Sequence, residues 1–335
     1  VRELRGLAVK RTINAVAVIV ALGLLVTGCT NAAATPSTTL SPVAAQSAKA
    51  VQPATAEVPL RFAVIGDYGM GNRNAARVAR LVRSWKPSFI IATGDDYYAP
   101  AGGTGSTRYD RSTGAFYCAW LADVSTRGTH CRPGKATVNA FFPALGNHDY
   151  SDARPGPSTY LRYFRLPGRG IANSSGNERY YDFVQGPVHF FVLNSNSRER
   201  DGISRTSVQA RWLKKQLAAS RSPWNVVYDH HPPYSSDRTH GSTAIMRWPF
   251  AKWGADVVLS GHSHTYERIK RRGVVYFVNG LGGAARYRFG KPVAGSAVRY
   301  RANWGAQQVT ATANKLSFAF YSIAGKRIDR YTLTR

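Results

Sequence analysis

Acidic side chains are scarce in this chain: 18 Asp and Glu stand against 45 Lys and Arg in 335 residues, for a formal charge of +27. A surface so poor in negative charge attracts anions of every kind, and nucleic acid, phosphorylated small molecules and an anionic envelope all answer to that field. Arginine makes up 34 of the 45 cations, and its planar fork suits phosphate. Cysteine is rarer still, with three in the chain, and the 31 Gly and 17 Pro follow no period. A disulfide-knotted miniprotein, a collagen and a coiled coil are thereby excluded. No repeat of solenoid length is visible. The apolar run from Ala15 to Val26 has 12 residues, well short of the roughly 20 that span a bilayer. What is present, 44% hydrophobic and 12% aromatic residues, suffices for a sizeable core and is too apolar for a disordered chain.

Arg2, Arg5, Lys10 and Arg11 precede that run, and Val26-Thr27-Gly28-Cys29 follows it. The order reads as an export signal, with a permanent transmembrane helix the weaker reading. The tetrapeptide resembles a bacterial lipobox, in which Cys29 is lipidated and becomes the mature N-terminus; ordinary secretion with cleavage near Ala32 to Ala34 is the alternative. Residues 30–58 are almost entirely Ala, Thr, Ser, Pro, Val and Gln, with Lys49 and Glu57 the only charges, and are expected to be a flexible linker. The remaining chain keeps 40 basic and 16 acidic side chains, or +24, so the basic character belongs to the folded part. With Cys29 assigned to lipid, Cys118 and Cys131 form an even pair. A disulfide between them is expected in an oxidising compartment, contributing roughly 3 kcal/mol in the chain-entropy model.

Residues 59–335 read as one α/β domain. Leu60 to Ile65 is a short β-branched run, Asn74 to Trp85 has helical periodicity, and Phe89 to Ala92 is a second apolar run, which together make a βαβ unit. Val188 to Leu193, Asn225 to Tyr228, Asp256 to Leu259 and Val274 to Val278 are strand-like, and Ser207 to Ala219 is helical. Ala99 to Pro133 and Ser151 to Gly176 lack periodicity and are expected to be long loops over the site.

Oxygen and nitrogen ligands recur just beyond the apolar runs. Asp67 follows the first and Asp95 and Tyr98 the second; Asn147 and His148 follow Phe141 to Leu145, His230 ends Val226 to Asp229, and His262 and His264 follow Val257 to Gly261. Strand ends gather at one sheet edge, so ligands distant in sequence can meet there. Taken singly, a Gly-Asp pair is more often a turn and a histidine more often structural. Taken together, G-D-x-G at 66–69, G-D-x-x-Y at 94–98, G-N-H-D at 146–149, V-x-x-H at 227–230 and G-H-x-H at 261–264 would hold two metals sharing a carboxylate. Gly280, Gly282 and Gly283 lack the Lys-Ser or Lys-Thr of a phosphate loop and are expected to let the backbone pass close to the site. Arg268 is expected in a structural ion pair.

This ordered set resembles the calcineurin-like metallophosphoesterases and, within them, the purple acid phosphatases. Asp67-Tyr68-Gly69 stands where the wider group has D-x-H, and Tyr98 lies three residues after the shared carboxylate. The resemblance implies an α/β fold of two packed mixed β-sheets flanked by helices. It implies Fe(III) held by Asp67, Asp95, Tyr98 and His264, with Asp95 bridging to a divalent ion, Zn, Fe or Mn, held by Asn147, His230 and His262. Hard anionic oxygens suit the ferric ion and imidazoles the divalent one. It places His148 and His240 on the substrate side, His148 as the proton donor to the leaving group; His231 is expected in packing or support.

The activity so implied is hydrolysis of phosphate monoesters by attack of a metal-bound hydroxide. A phosphodiesterase of the same fold, acting on nucleotides, nucleic acid or phospholipid, is the first alternative. A non-catalytic lipoprotein adhering to anionic cell-wall polymer is the second. The expected partners are small phosphate monoesters, the membrane through a lipid anchor, and an anionic cell-envelope polymer, with no specific nucleic acid. The expected location is the outer face of a bacterial membrane, or the medium if secreted.

Overall fold

The computed structural model describes residues 58–124, 129–131, 135–151 and 156–335. The expected export signal, the expected lipobox with Cys29 and nearly all of the expected linker lie outside the described residues.

Two mixed sheets carry the chain. The strands are β1 (Leu60–Ile65), β2 (Phe89–Ala92), β3 (Phe141–Pro143), β4 (Tyr181–Gln185), β5 (Val188–Val192), β6 (Trp224–Tyr228), β7 (Val257–Ser260), β8 (Tyr266–Arg271), β9 (Val274–Asn279), β10 (Ser296–Tyr300), β11 (Gly305–Thr312), β12 (Lys315–Ser322) and β13 (Arg327–Thr334). One sheet runs β13-β12-β11-β1-β2-β3 and the other β10-β8-β9-β7-β6-β5-β4. Within them β1, β2 and β3 are mutually parallel, as are β5, β6, β7 and β9. Parallel strands need both faces covered, and their uninterrupted burial shows it: all four residues of β2 and of β7 are buried.

The inner faces meet through aromatic rings. Phe62 and Phe89 lie 5.2 and 5.4 Å from Phe190, and Phe142 stacks on Phe183 at 3.9 Å. Each such pair adds roughly 0.5–1.5 kcal/mol beyond the area it buries. Helix α1 (Arg73–Ser84) turns Ala75, Val78, Ala79 and Val82 inward, a spacing of three and four residues that makes one apolar stripe. Its first turn is capped by Asn72, whose Oδ1 accepts from the N–H groups of Asn74 and Ala75. Helix α2 (Val208–Ala219) starts on the cap Ser207 and packs Ala210, Leu213 and Leu217 against Phe191, Val227 and Val258 of the other sheet.

The stretch expected as a long loop from Ala99 is not one. It winds through short helical turns from Ala99 to Trp120, with a π turn at Asp110–Gly114. Its order comes from inside: Tyr109 and Tyr117 are buried, and the Cys118–Cys131 disulfide closes the stretch. The buried Asp110 carboxylate accepts the N–H groups of Thr129, His130 and Cys131. A segment without helical periodicity can still be helical when each turn is too short to show a face. In the second expected loop, Ser158–Tyr163 is likewise a short helix.

Candidate metal centre

Every parallel strand of the inner sheets except β9 delivers a polar group at its C-terminal end: Asp67 beyond β1, Asp95 and Tyr98 beyond β2, Asn147 and His148 beyond β3, Ser195 beyond β5, His230 beyond β6, and His262 and His264 beyond β7. Three of these bend the chain into the left-handed region, with φ of 56° at Asp67, 56° at Asp95 and 63° at His262. Such conformations cost about 1–3 kcal/mol each and gather at functional sites. Glycines make the approach possible. A Cβ added at Gly146 would collide with the Asp95 carboxylate, and one at Gly94 would lie 2.7 Å from His230 Nδ1.

Two groups of ligand atoms result. In the first, Tyr98 Oη lies 3.2 Å from Asp67 Oδ1 and 3.1 Å from His264 Nε2, which is 3.3 Å from the same Asp67 oxygen. In the second, His230 Nε2 lies 2.9 Å from Asn147 Oδ1, 3.2 Å from His262 Nδ1 and 3.4 Å from Asp95 Oδ2. Asp67, Asp95 and His230 bring ligand atoms within 4.8 Å of one another, which ties the groups together. Asp67 is further held by the His262 N–H at 2.9 and 3.1 Å, and Asp95 by the His148 N–H at 2.9 Å.

The protons identify what the cluster is built for. His230 Nδ1 lies 2.9 Å from Thr93 O and His264 Nδ1 2.6 Å from Ala285 O. A carbonyl only accepts, so each Nδ1 carries the proton and each Nε2 turns a lone pair into the cluster. Carboxylates, an amide oxygen and imidazole lone pairs then face one another at about 3 Å, an arrangement that repels unless a cation stands among them. With side chains alone the centre seeks positive charge: burial opposes a charge on His230, yet Asp95 and Asp67 raise it to about 10. Burial, followed by Asp95 and Asp67, pushes the Tyr98 phenol well above its ordinary value. The donor set therefore fits two metal ions, with one anionic carboxylate group at the junction.

The neighbours of each buried acid decide which one is anionic. Burial alone would raise Asp95, but His230 and His148 hold it below the carboxylate range. Behind it, Asp149 is pushed up to about 7 by burial and by Asp95, and Asp96 is raised by burial and by Asp149. Asp149 is a brace: it accepts the N–H of Gly146 at 2.8 Å and the Tyr109 hydroxyl at 3.2 Å.

His148 faces the first group, its ring 4.4 Å from that of Tyr98. His240 is brought in from its loop, 4.1 Å from the His262 ring. The His231 ring lies tilted against that of His262 at 4.4 Å and joins Ser195 Oγ through Nδ1 at 2.8 Å, and burial followed by His230 lowers it to about 3. Arg268 pairs with Asp329 at 2.7 Å, far from the ligands in role. Gly280 and Gly282 lie against backbone, where a Cβ would meet Ser263 O and Gly66 O. Two residues escaped sequence reasoning. Tyr287 stacks on His264 at 4.1 Å and 12°, and the Ser195 hydroxyl oxygen accepts the N–H of His231 at 2.9 Å. Ser195 lies three residues beyond the end of a strand and could have been found by the strand-end rule; Tyr287 stands in a loop that carries no such signal.

The family profile for calcineurin-like phosphoesterases matches residues 60–266. Purple acid phosphatase 15 of Arabidopsis thaliana is 29% identical over 248 residues, covering 67% of this chain and 45% of its own length. Tartrate-resistant acid phosphatase type 5 of Mus musculus is 29% identical over 261 residues, covering 68% and 74%. Among solved structures, a purple acid phosphatase from yellow lupin (Lupinus luteus) seeds aligns with 83% of this chain and 54% of its own, at a TM-score of 0.62 and 16% identity. The chain spans about half the length of the plant relatives it matches.

Proposed function

The chain belongs to the calcineurin-like phosphoesterase family, and from that premise we propose that it is a binuclear-metal acid phosphatase hydrolysing phosphate monoesters. The observation that carries this is the position of Tyr98, whose oxygen joins Asp67 and His264 at hydrogen-bond distance. Phenolate, carboxylate and imidazole make a hard donor set that suits Fe(III), while Asn147, His230 and His262 suit Zn, Fe or Mn. Asp95 lies between the two groups.

The ions, when bound, supply Lewis acidity, neutralise phosphate charge and acidify water for attack. The rest falls to the side chains. Asp67 and Asp95 are fixed by the His262 and His148 N–H groups, so the carboxylates need no reorganisation during turnover. His148, half-exposed at the mouth, donates a proton to the departing alkoxide as the ester P–O bond breaks. His240 orients the phosphate from the opposite side, beside Tyr287. Because water is the acceptor, no side chain forms a phosphoenzyme.

We propose further that Cys29 anchors the protein by lipid to the outer face of a membrane and that residues 30–58 tether the catalytic domain. The reading is tested on full-length protein purified without chelator, by metal analysis together with hydrolysis of p-nitrophenyl phosphate and bis-p-nitrophenyl phosphate. Two metals per chain with a strong preference for the monoester are expected. Preference for the diester, or activity without bound metal, would refute it.

A further inference from the structure

His230 and His231 are neighbours in the chain, but their rings are tied in opposite ways. His230 Nδ1 meets a carbonyl, Thr93 O, and so carries the proton. His231 Nδ1 meets the Ser195 hydroxyl at 2.8 Å, and a hydroxyl can donate or accept. The other partners of Ser195 decide between the two. Its oxygen already accepts two backbone N–H groups, from His231 at 2.9 Å and from His230 at 3.3 Å, and these occupy both lone pairs. Ser195 is buried, and among the described residues its proton has no other acceptor within hydrogen-bond reach. The hydroxyl therefore donates to His231 Nδ1. An imidazole that accepts at Nδ1 holds its one proton on Nε2.

This ring stands at the metal centre. A ring nitrogen of His231 lies within 4.8 Å of ring nitrogens of both His230 and His262. The His262 ring is its neighbour at 4.4 Å and also contacts that of His240 at 4.1 Å. Placement alone would admit His231 as a further metal ligand. The protons exclude it, because the Nδ1 lone pair is engaged by Ser195 and a protonated Nε2 has none to offer. Among the described residues Nε2 of His231 has no hydrogen-bond partner, and the residue is only partly covered, whereas Nε2 of His230 faces Asn147 and that of His264 faces Tyr98. An N–H left open beside ligands that gather cations is placed to meet an anion that those cations also hold.

We infer that His231 donates its Nε2–H to an oxygen of the substrate's phosphate group beside Asn147, His230 and His262, and that Ser195 is the positioning residue that fixes this proton. The inference rests on the phosphatase reading above and adds a third histidine to His148 and His240 on the substrate side. An ionised phosphate oxygen only accepts, so a nitrogen held as a donor matches it and one held as an acceptor would repel it. Because Ser195 sets the donor before phosphate arrives, the contact needs no reorganisation during turnover.

The test measures the affinity of inorganic phosphate by calorimetry on full-length, metal-loaded protein, beside its metal content. Gln and Met are similar in length and volume, but only Gln carries an N–H donor. His231→Met should weaken phosphate binding about tenfold, the equivalent of 1.4 kcal/mol, with both metals retained. His231→Gln should recover most of that loss. Nitrogen NMR of the imidazole rings in zinc-loaded wild type should place the His231 proton on Nε2, and Ser195→Ala should divide it between the two nitrogens. Equal phosphate affinity in the wild type and His231→Met, loss of a metal from either His231 variant, or a wild-type proton on Nδ1 would overturn the inference. A wild type that holds two metals and hydrolyses no phosphate monoester would overturn the phosphatase reading, and this inference with it.

Discussion

Asp95 and His148 touch each other, yet their replacements should fail in different ways. The His148 N–H donates to Asp95 Oδ1, so the backbone of one residue serves the carboxylate of the other. Asp95→Asn removes the anion between the two groups of ligands, and should lose metal and activity together. His148→Ala keeps that N–H and should retain both metals while kcat falls by roughly 10²- to 10⁴-fold, the range for a general acid. Metal content beside kcat separates the two, and loss of metal from His148→Ala would remove its assignment as proton donor. At Gly146 even a methyl group would strike the Asp95 carboxylate and nitrogen. Gly146→Ala should therefore mimic Asp95→Asn, with metal content reduced several-fold in a protein that still folds. The residues proposed as ligands were legible as a converging set in the sequence because each follows a strand, where short apolar runs announce the position. Tyr287 was not, since its place against His264 depends on a loop returning from β9 to β10, and no periodicity records a return path.

At the scale of elements, the parallel strands were visible as continuous apolar runs, and observed boundaries differ from the expected ones by one residue or so, as at Val257–Ser260. Strands β10 to β13 went unread although β12 alternates buried Leu316, Phe318, Phe320 and Ser322 with more exposed neighbours. Their polar alternate positions dilute the apolar signal that marked the central strands. The outer hairpin of the second sheet carries a titratable link: His189 of β5 faces Asp182 of β4 at 2.9 Å, and Asp182 also accepts the N–H and hydroxyl of Ser174. Burial alone would raise the Asp182 carboxyl, but these hydrogen bonds lower it below its ordinary value. A depressed folded value stabilises the protein above the unfolded value near 4 and loses that contribution as pH falls through the folded value. Asp182→Asn should thus be less stable than the wild type at pH 7, by about 1 kcal/mol after discounting for solvent screening. The gap should close in the acid range below about pH 4. Urea midpoints at pH 7 and pH 3 measure it, and a gap that widens toward acid would contradict the assignment.

For the molecule as a whole, the proposed ligands all lie between Asp67 and His264, within the residues that match the family profile. A protein trimmed to begin at Val58 should therefore bind metal and hydrolyse p-nitrophenyl phosphate at the full-length rate, measured per metal-loaded chain. Cys29→Ser should instead change only the fraction recovered with membranes, and loss of catalysis in that variant would contradict a purely tethering role. The positive charge is likewise a property of the whole: +24 on residues 59–335 signals an anionic partner from composition alone, but not where it binds.

The visible spectrum of the oxidised protein tests the central claim most directly. A phenolate bound to Fe(III) transfers charge to the metal in visible light, so wild-type protein containing iron should be pink to violet. Tyr98→Phe keeps the ring that packs beside His148 and removes only the oxygen near Asp67 and His264; it should be colourless while Asp67, Asp95 and His264 still hold iron. Tyr97, the neighbouring phenol, turns its hydroxyl toward Ala99 O instead. Loss of colour with iron retained is the result this account predicts. Colour that persists in Tyr98→Phe, or a colourless and fully active wild type with two metals other than iron, would contradict it.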